Sequence, residues 1–231
     1  MSDRLRELID LRESALARFI DAECENLARA CHAMSTGMRA GGTLIAFGAG
    51  AAASDAAHVT VEFMHPVIVG KPALPAIAIA SPVELGPIAQ RDDVVVVLCH
   101  GEPGQAERAT LDAARSKGLL TIAMTGGGEP PEADHCFVID EADAHVVQEL
   151  QETAYHVLWE LVHVFLDRPD AGEACITCGD VGTRARVLEV GRREALVELG
   201  GGRESVAIDL VESLAVGDTV LCHAGVALEK L

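Results

Sequence analysis

His58 and Glu62 stand four residues apart in SDAAHVTVEF, a stretch patterned as a helix. Four residues make little more than one helical turn, so imidazole and carboxylate share a face and could hold a divalent cation or divide acid–base work. Gln148, Glu152 and His156 repeat that step on a later helical stretch, with His145 and His163 close to the same pattern. Such a stripe is a solvated face unless the two helices meet. Sulfur supplies a third set: Cys175 and Cys178 in ACITCGD, with Cys222 and His223 far downstream. These are ligand types suited to a tetrahedral zinc site, yet neighbours on a strand point to opposite faces, which sets Cys222 against His223. A redox CxxC normally opens a helix, and no helical pattern follows Cys178.

The elements that must position these groups can be read from the apolar pattern. From Leu5 through Leu8, Ile9, Leu16, Phe19, Ile20, Cys24, Leu27, Ala28 and Cys31, apolar residues recur at steps of three and four, the stripe of an amphipathic helix. Five short apolar runs follow, TLIAFGAG, LPAIAIA, DVVVVLCHG, LLTIAMTGG and HCFVID, separated by helix-like stretches around 53–64 and 104–117. Near-continuous apolar strands of this kind predict an α/β unit whose five-stranded parallel sheet is covered by helices on both faces. A helix from about Ala144 to Leu166 closes it. The loop GAGAAASDAAH joins the first strand to a helix, a place where backbone N–H groups can receive an anion or where small residues only serve tight packing.

DRPDAGEA, residues 167–174, has the breakers and charges of a linker. Beyond it TRARVLEV, EALVEL, ESVAIDL and DTVLCHA read as strands, with GRR and LGGGR as turns, which predicts a small β-barrel of OB-like kind. The expected domains are therefore 1–167, a linker at 168–174, and 175–231.

Net charge is −18, with −14 on residues 1–167 and −4 on 168–231, so neither part offers the basic face that nucleic acid or an anionic membrane requires. The longest unbroken apolar run, VVVVLC, is far below a membrane span, and MSDRLRELIDLRES lacks the apolar core of a signal peptide. Seven cysteines without a secretion signal fit reduced thiols, and the expected location is the cytoplasm.

GAGAAASDAAHVTVE and QELQETAYH resemble the GNGGSxxDAxHFAxE and QExxxxxxH segments of SIS (sugar isomerase) domains, most of all the phosphoheptose isomerase (GmhA) branch. The resemblance runs from the first helix to Leu166. It implies that His58, Glu62, Gln148 and His156 converge on zinc or another divalent metal, with Glu62 and His156 as the acid–base pair of an aldose–ketose isomerisation. It also implies sites between subunits, hence a homodimer or homotetramer. Where the family has its loop asparagine and serine this chain has Ala49 and Ala52, and CHGEP at 99–103 stands for TSGNS. Hydroxyl and amide donors are missing there and Glu102 adds negative charge, so sugar phosphates are expected to bind weakly.

CITCGDVGTRARVLEV and SVAIDLVESLAVGDTVLCHAGVALEKL resemble the HypC/HupF chaperones of nickel–iron hydrogenase maturation over nearly the whole tail. That resemblance implies a carrier of an iron–cyanide–carbonyl fragment, Cys175 and His223 holding the iron, with Cys178 a small buried hydrophobe. Its partners would be hydrogenase maturation proteins and the hydrogenase large-subunit precursor. Thiolate and imidazole suit low-spin iron. His223 is expected beside Cys175 through pairing of the first and last barrel strands. Three functions stay open: a maturation factor with an oligomerising SIS domain that holds a metal or small ligand, a phosphoheptose isomerase acting on sedoheptulose 7-phosphate with an accessory barrel, and a SIS domain that only dimerises. The sequence alone does not decide whether the chain is an enzyme.

Overall fold

The computed structural model describes residues 2–66, 70–167, 183–199, 202–208, 211, 213–223 and 225–231. The chain divides into two compact units, Met1–Asp167 and Arg168–Leu231.

The first unit opens with α1 (Ser2–Arg39) and continues through β1 (Leu44–Gly48), α2 (Ala52–Met64), β2 (Ala76–Ile79), the short α3 (Leu85–Ile88), β3 (Val94–Leu98), α4 (Gln105–Ser116), β4 (Leu120–Thr125), β5 (His135–Val138) and α5 (Ala144–Asp167). All five strands are parallel, in the order β2-β1-β3-β4-β5. Every residue of β1 and β3 is buried, which is why LIAFG and VVVVL carry no polar alternation: both faces of a central parallel strand lie under helices. The expected fold class is borne out. Ile45, Phe47, Val95, Val97, Leu111 and Ala123 form the core on one side of the sheet.

α1 buries Ala15, Phe19, Leu27, Ala30, Cys31 and Met34 along one stripe and packs on α5. Arg12 fastens the two helices, its Nε donating to Glu149 Oε2 at 2.5 Å and its Nη2 to Oε1 at 2.9 Å, while Arg18 bonds Glu141. At the far end of α1 the chain turns so closely under the sheet that a Cβ on Gly42 would lie 1.9 Å from the Asp92 carbonyl oxygen. Asp93 holds this turn, its carboxylate accepting from the backbone N–H of Thr43 at 2.8 Å and of Gln90 at 2.7 Å.

In the second unit β6 (Thr183–Val190), β7 (Glu194–Leu199), β8 (Gly202–Ala207), β9 (Thr219–His223) and β10 (Val226–Lys230) form a closed barrel in the order β10-β8-β7-β6-β9. Inward positions carry Ala185, Val187, Ala195, Val197, Val206, Val220, Cys222 and Ala227, small enough to fill a five-stranded interior. One expectation needs correcting. Four strands are read from the tail, but VALEK forms a fifth, which pairs antiparallel with β9 and closes the barrel by a parallel contact of Val226 with Ala207. The strand that ends in His223 is thus next to last, and it is this strand that pairs with β6, Thr183 opposite Cys222.

Candidate metal centre

α2 starts four residues after β1 ends, at the carboxyl edge of the sheet, and packs against α5. Its buried face is Ala52, Asp55, Ala56, Val59, Thr60 and Phe63. His58 and Glu62 fall beside that face, and α5 brings His156 to them. His156 of the second polar stripe therefore meets the first. His58 Nε2 lies 3.2 Å and His156 Nε2 3.9 Å from Glu62 Oε1, and one ligand atom from each residue falls within 4.8 Å of the others. Zinc bonds of about 2.0–2.1 Å in a tetrahedron space ligand atoms by about 3.3 Å, so the trio needs only small adjustments to close on a cation. Two imidazoles and a carboxylate are a donor set for zinc or another divalent transition metal, with a further position left for water or substrate. The side chains of His58 and His156 are 39% and 44% exposed, which leaves the site open.

Tyr155 lies behind the histidines. It is fully buried, and its Oη is 2.8 Å from His58 Nδ1. Its ring meets both imidazoles edge to face, with centroids 5.5 Å from His58 and 5.0 Å from His156. Burial, reinforced by Glu152, Asp55 and Glu62, pushes the phenol well above its ordinary range, so the group is a hydroxyl and not a phenolate.

One turn back on α2, Asp55 is 2% exposed and accepts two hydrogen bonds, from His100 Nε2 at 2.5 Å to Oδ2 and from Gln148 Nε2 at 3.0 Å to Oδ1. A buried carboxylate is tolerated because both oxygens are answered. Gln148, a fourth metal ligand by family resemblance, thus has its amide N–H committed to Asp55. Gln151, one turn on, donates to the Cys99 carbonyl at 2.8 Å. His100 sits where the chain leaves β3, and Gly126 of the neighbouring loop must be glycine, since a Cβ there would lie 2.1 Å from the His100 carbonyl oxygen.

The loops that would cradle a phosphate are taken up locally. At the start of α2 the N–H groups of Ala52, Ala53 and Ser54 bond the carbonyls of Ala49, Gly50 and Ala51 at 3.2–3.3 Å. Cys99 donates its thiol proton to Gly101 O, and Arg108 reaches the carbonyls of Pro103 and Glu129, with Glu102 3.9 Å away.

Cys175 and Cys178 lie outside the described residues, and for His223 the backbone places the residue at the end of β9. Glu152 stands on α5 outside the trio, and His163 is not on a solvated stripe but buried, with Nδ1 2.8 Å from Trp159 O and Nε2 3.1 Å from Pro72 O. Sequence reasoning missed Tyr155, His100 and Gln151. The signal for the first was available: it is the chain's single tyrosine, one residue before His156.

Comparison with known proteins accords with both halves. The chain is 27% identical over 173 residues to a phosphoheptose isomerase of Solidesulfovibrio magneticus, covering 66% of this chain and 85% of that one. It is 29% identical over 147 residues to one from Desulfovibrio desulfuricans, covering 54% and 70%. Among solved structures, a phosphoheptose isomerase from Francisella tularensis superposes with a TM-score of 0.65 at 18% identity, over 70% of this chain and 97% of that one, and so shares the fold. The HupF/HypC family model matches residues 181–231. His223 falls inside that match and Cys175 six residues before it. The chain joins an N-terminal unit homologous to phosphoheptose isomerases of the SIS type to a C-terminal unit whose residues 181–231 match the HupF/HypC family model.

Proposed function

We propose that this chain is a nickel–iron hydrogenase maturation factor whose barrel carries or delivers the iron–cyanide–carbonyl fragment, while its SIS unit self-associates and holds a divalent metal. The match of residues 181–231 to the HupF/HypC family carries this reading. The fragment is cargo, held by the thiolate of Cys175 and the imidazole of His223, and the partners are the other maturation proteins and the large-subunit precursor. The test is anaerobic purification alongside those partners. Cys175→Ala should abolish the cyanide and carbonyl infrared bands and co-purification of the precursor, Cys178→Ala should keep most of both, and His223→Ala should weaken retention of the fragment. Wild-type protein without such bands would overturn the carrier role.

A second reading, isomerisation of a sedoheptulose 7-phosphate-type sugar with Glu62 and His156 moving the proton, is favoured by the convergence of His58, Glu62 and His156 in a unit homologous to phosphoheptose isomerases. The local use of the loop donors weighs against it. Turnover of sedoheptulose 7-phosphate, lost in Glu62→Gln, would put it first.

A further inference from the structure

We propose that Tyr155 is the positioning residue of the metal centre: it fixes His58 so that Nε2 faces the cation whether or not a cation is present. The proposal rests on reading His58, Glu62 and His156 as metal ligands. α5 carries Tyr155 and His156 in succession, about 100° apart around the helix, so one points inward and the other toward the rim. The inward residue is the only tyrosine of the chain, is fully buried, touches both imidazoles edge to face and bonds one of them.

Its hydroxyl suits both states of His58. Without a cation, Nε2–H donates to Glu62 Oε1 at 3.2 Å and Nδ1 accepts from Tyr155 Oη at 2.8 Å. When the Nε2 lone pair is given to a cation, the proton resides on Nδ1 and donates to the same Oη, because a hydroxyl both donates and accepts. The ring keeps its place while its tautomer changes. A partner on the second nitrogen of a ligating histidine typically governs metal affinity 10- to 100-fold. A phenylalanine at this position would keep the ring contacts and remove only that bond.

Cobalt(II) titration of the full-length, chelator-stripped protein tests this through the visible d–d absorption. The His58→Ala/His156→Ala variant defines the part of the signal that belongs to the trio, as opposed to cysteine thiolates. We expect Tyr155→Phe to raise the trio's dissociation constant about 10- to 100-fold, to alter the band shape, and to leave the thermal unfolding of the metal-free protein close to wild type. In a His58→Ala background the same change should have no further effect on residual cobalt binding. Wild-type and Tyr155→Phe constants within about threefold of each other would overturn the positioning role and leave the metal centre standing. So would an equal loss from Tyr155→Phe in the His58→Ala background, which would mark a packing effect. Absence from wild type of any signal that the double-histidine variant lacks would sink the metal centre and this proposal together.

Discussion

Replacing Asp55 by alanine should be among the most damaging single changes in the first unit. The carboxylate is 2% exposed and serves two donors, His100 Nε2 at 2.5 Å and Gln148 Nε2 at 3.0 Å. Alanine removes both acceptors at once. Each donor left without a partner in a water-poor site costs about 1–3 kcal/mol, which puts the loss for the two at about 2–6 kcal/mol. At about 2–4 °C per kcal/mol for a unit of this size, its melting temperature should fall by roughly 4–24 °C. Trp159 is the chain's only tryptophan and lies buried on α5, so its fluorescence reports this unit without interference from the barrel. Asp55→Asn, which keeps one acceptor and turns an amide on the other donor, should fall between alanine and wild type. In a double-mutant cycle, Asp55→Ala and His100→Ala should together cost less than their sum, because each removes the same bond. Melting curves that place Asp55→Ala within about 1 kcal/mol of wild type, or strict additivity with His100→Ala, would refute the view that this carboxylate ties α2 to the end of β3.

Metal analysis of purified protein should find a divalent metal that the His58→Ala/His156→Ala variant lacks; equal metal in both would remove the centre. Heptose and hexose phosphates should bind weakly or not at all in calorimetric titration, and a micromolar dissociation constant would contradict the reading of the occupied loops. Burial pushes the Cys31 thiol from about 9 up to about 12. A folded value above the unfolded one means stability is intact below about pH 9 and is lost as pH rises toward about 12. The first unit should therefore melt progressively lower across that window, by a smaller amount in Cys31→Ala. Gly126→Ala, whose Cβ would lie 2.1 Å from the His100 carbonyl, should lower the Trp159 melting transition by several degrees and weaken the Asp55–His100 pairing, measurable as a smaller effect of Asp55→Ala in that background.

What could be read in advance was what local periodicity determines. The run VVVVL announced a doubly covered strand, and the spacing of His58 with Glu62 announced a shared helix face, because a turn of helix is a local property. That α2 lies against α5 is not local, so the stripe of Gln148, Glu152 and His156 could be a solvated face or half of a site until the two helices were seen together. The bond between Asp55 and His100 spans 45 residues and left no trace in either segment's pattern. β10 was missed for a different reason: its pairing with β9 shifts register between Ala227 and Glu229, so VALEK lacks the alternation that marks a strand. By its type His163 reads with the polar residues, whereas it lies buried between two backbone carbonyls.

α2 behaves as a camshaft. Asp55 and Glu62 are one heptad apart, which on a straight helix leaves them about 20° from the same direction, with His58 about 60° to the side. A roll or slide of these 13 residues would draw Asp55 away from His100 in the same movement that draws Glu62 away from His156. Neither station can be retimed alone. A substitution on α2 that shifts one carboxylate would therefore shift the other, and evolutionary drift at one cam would have to be matched at the other.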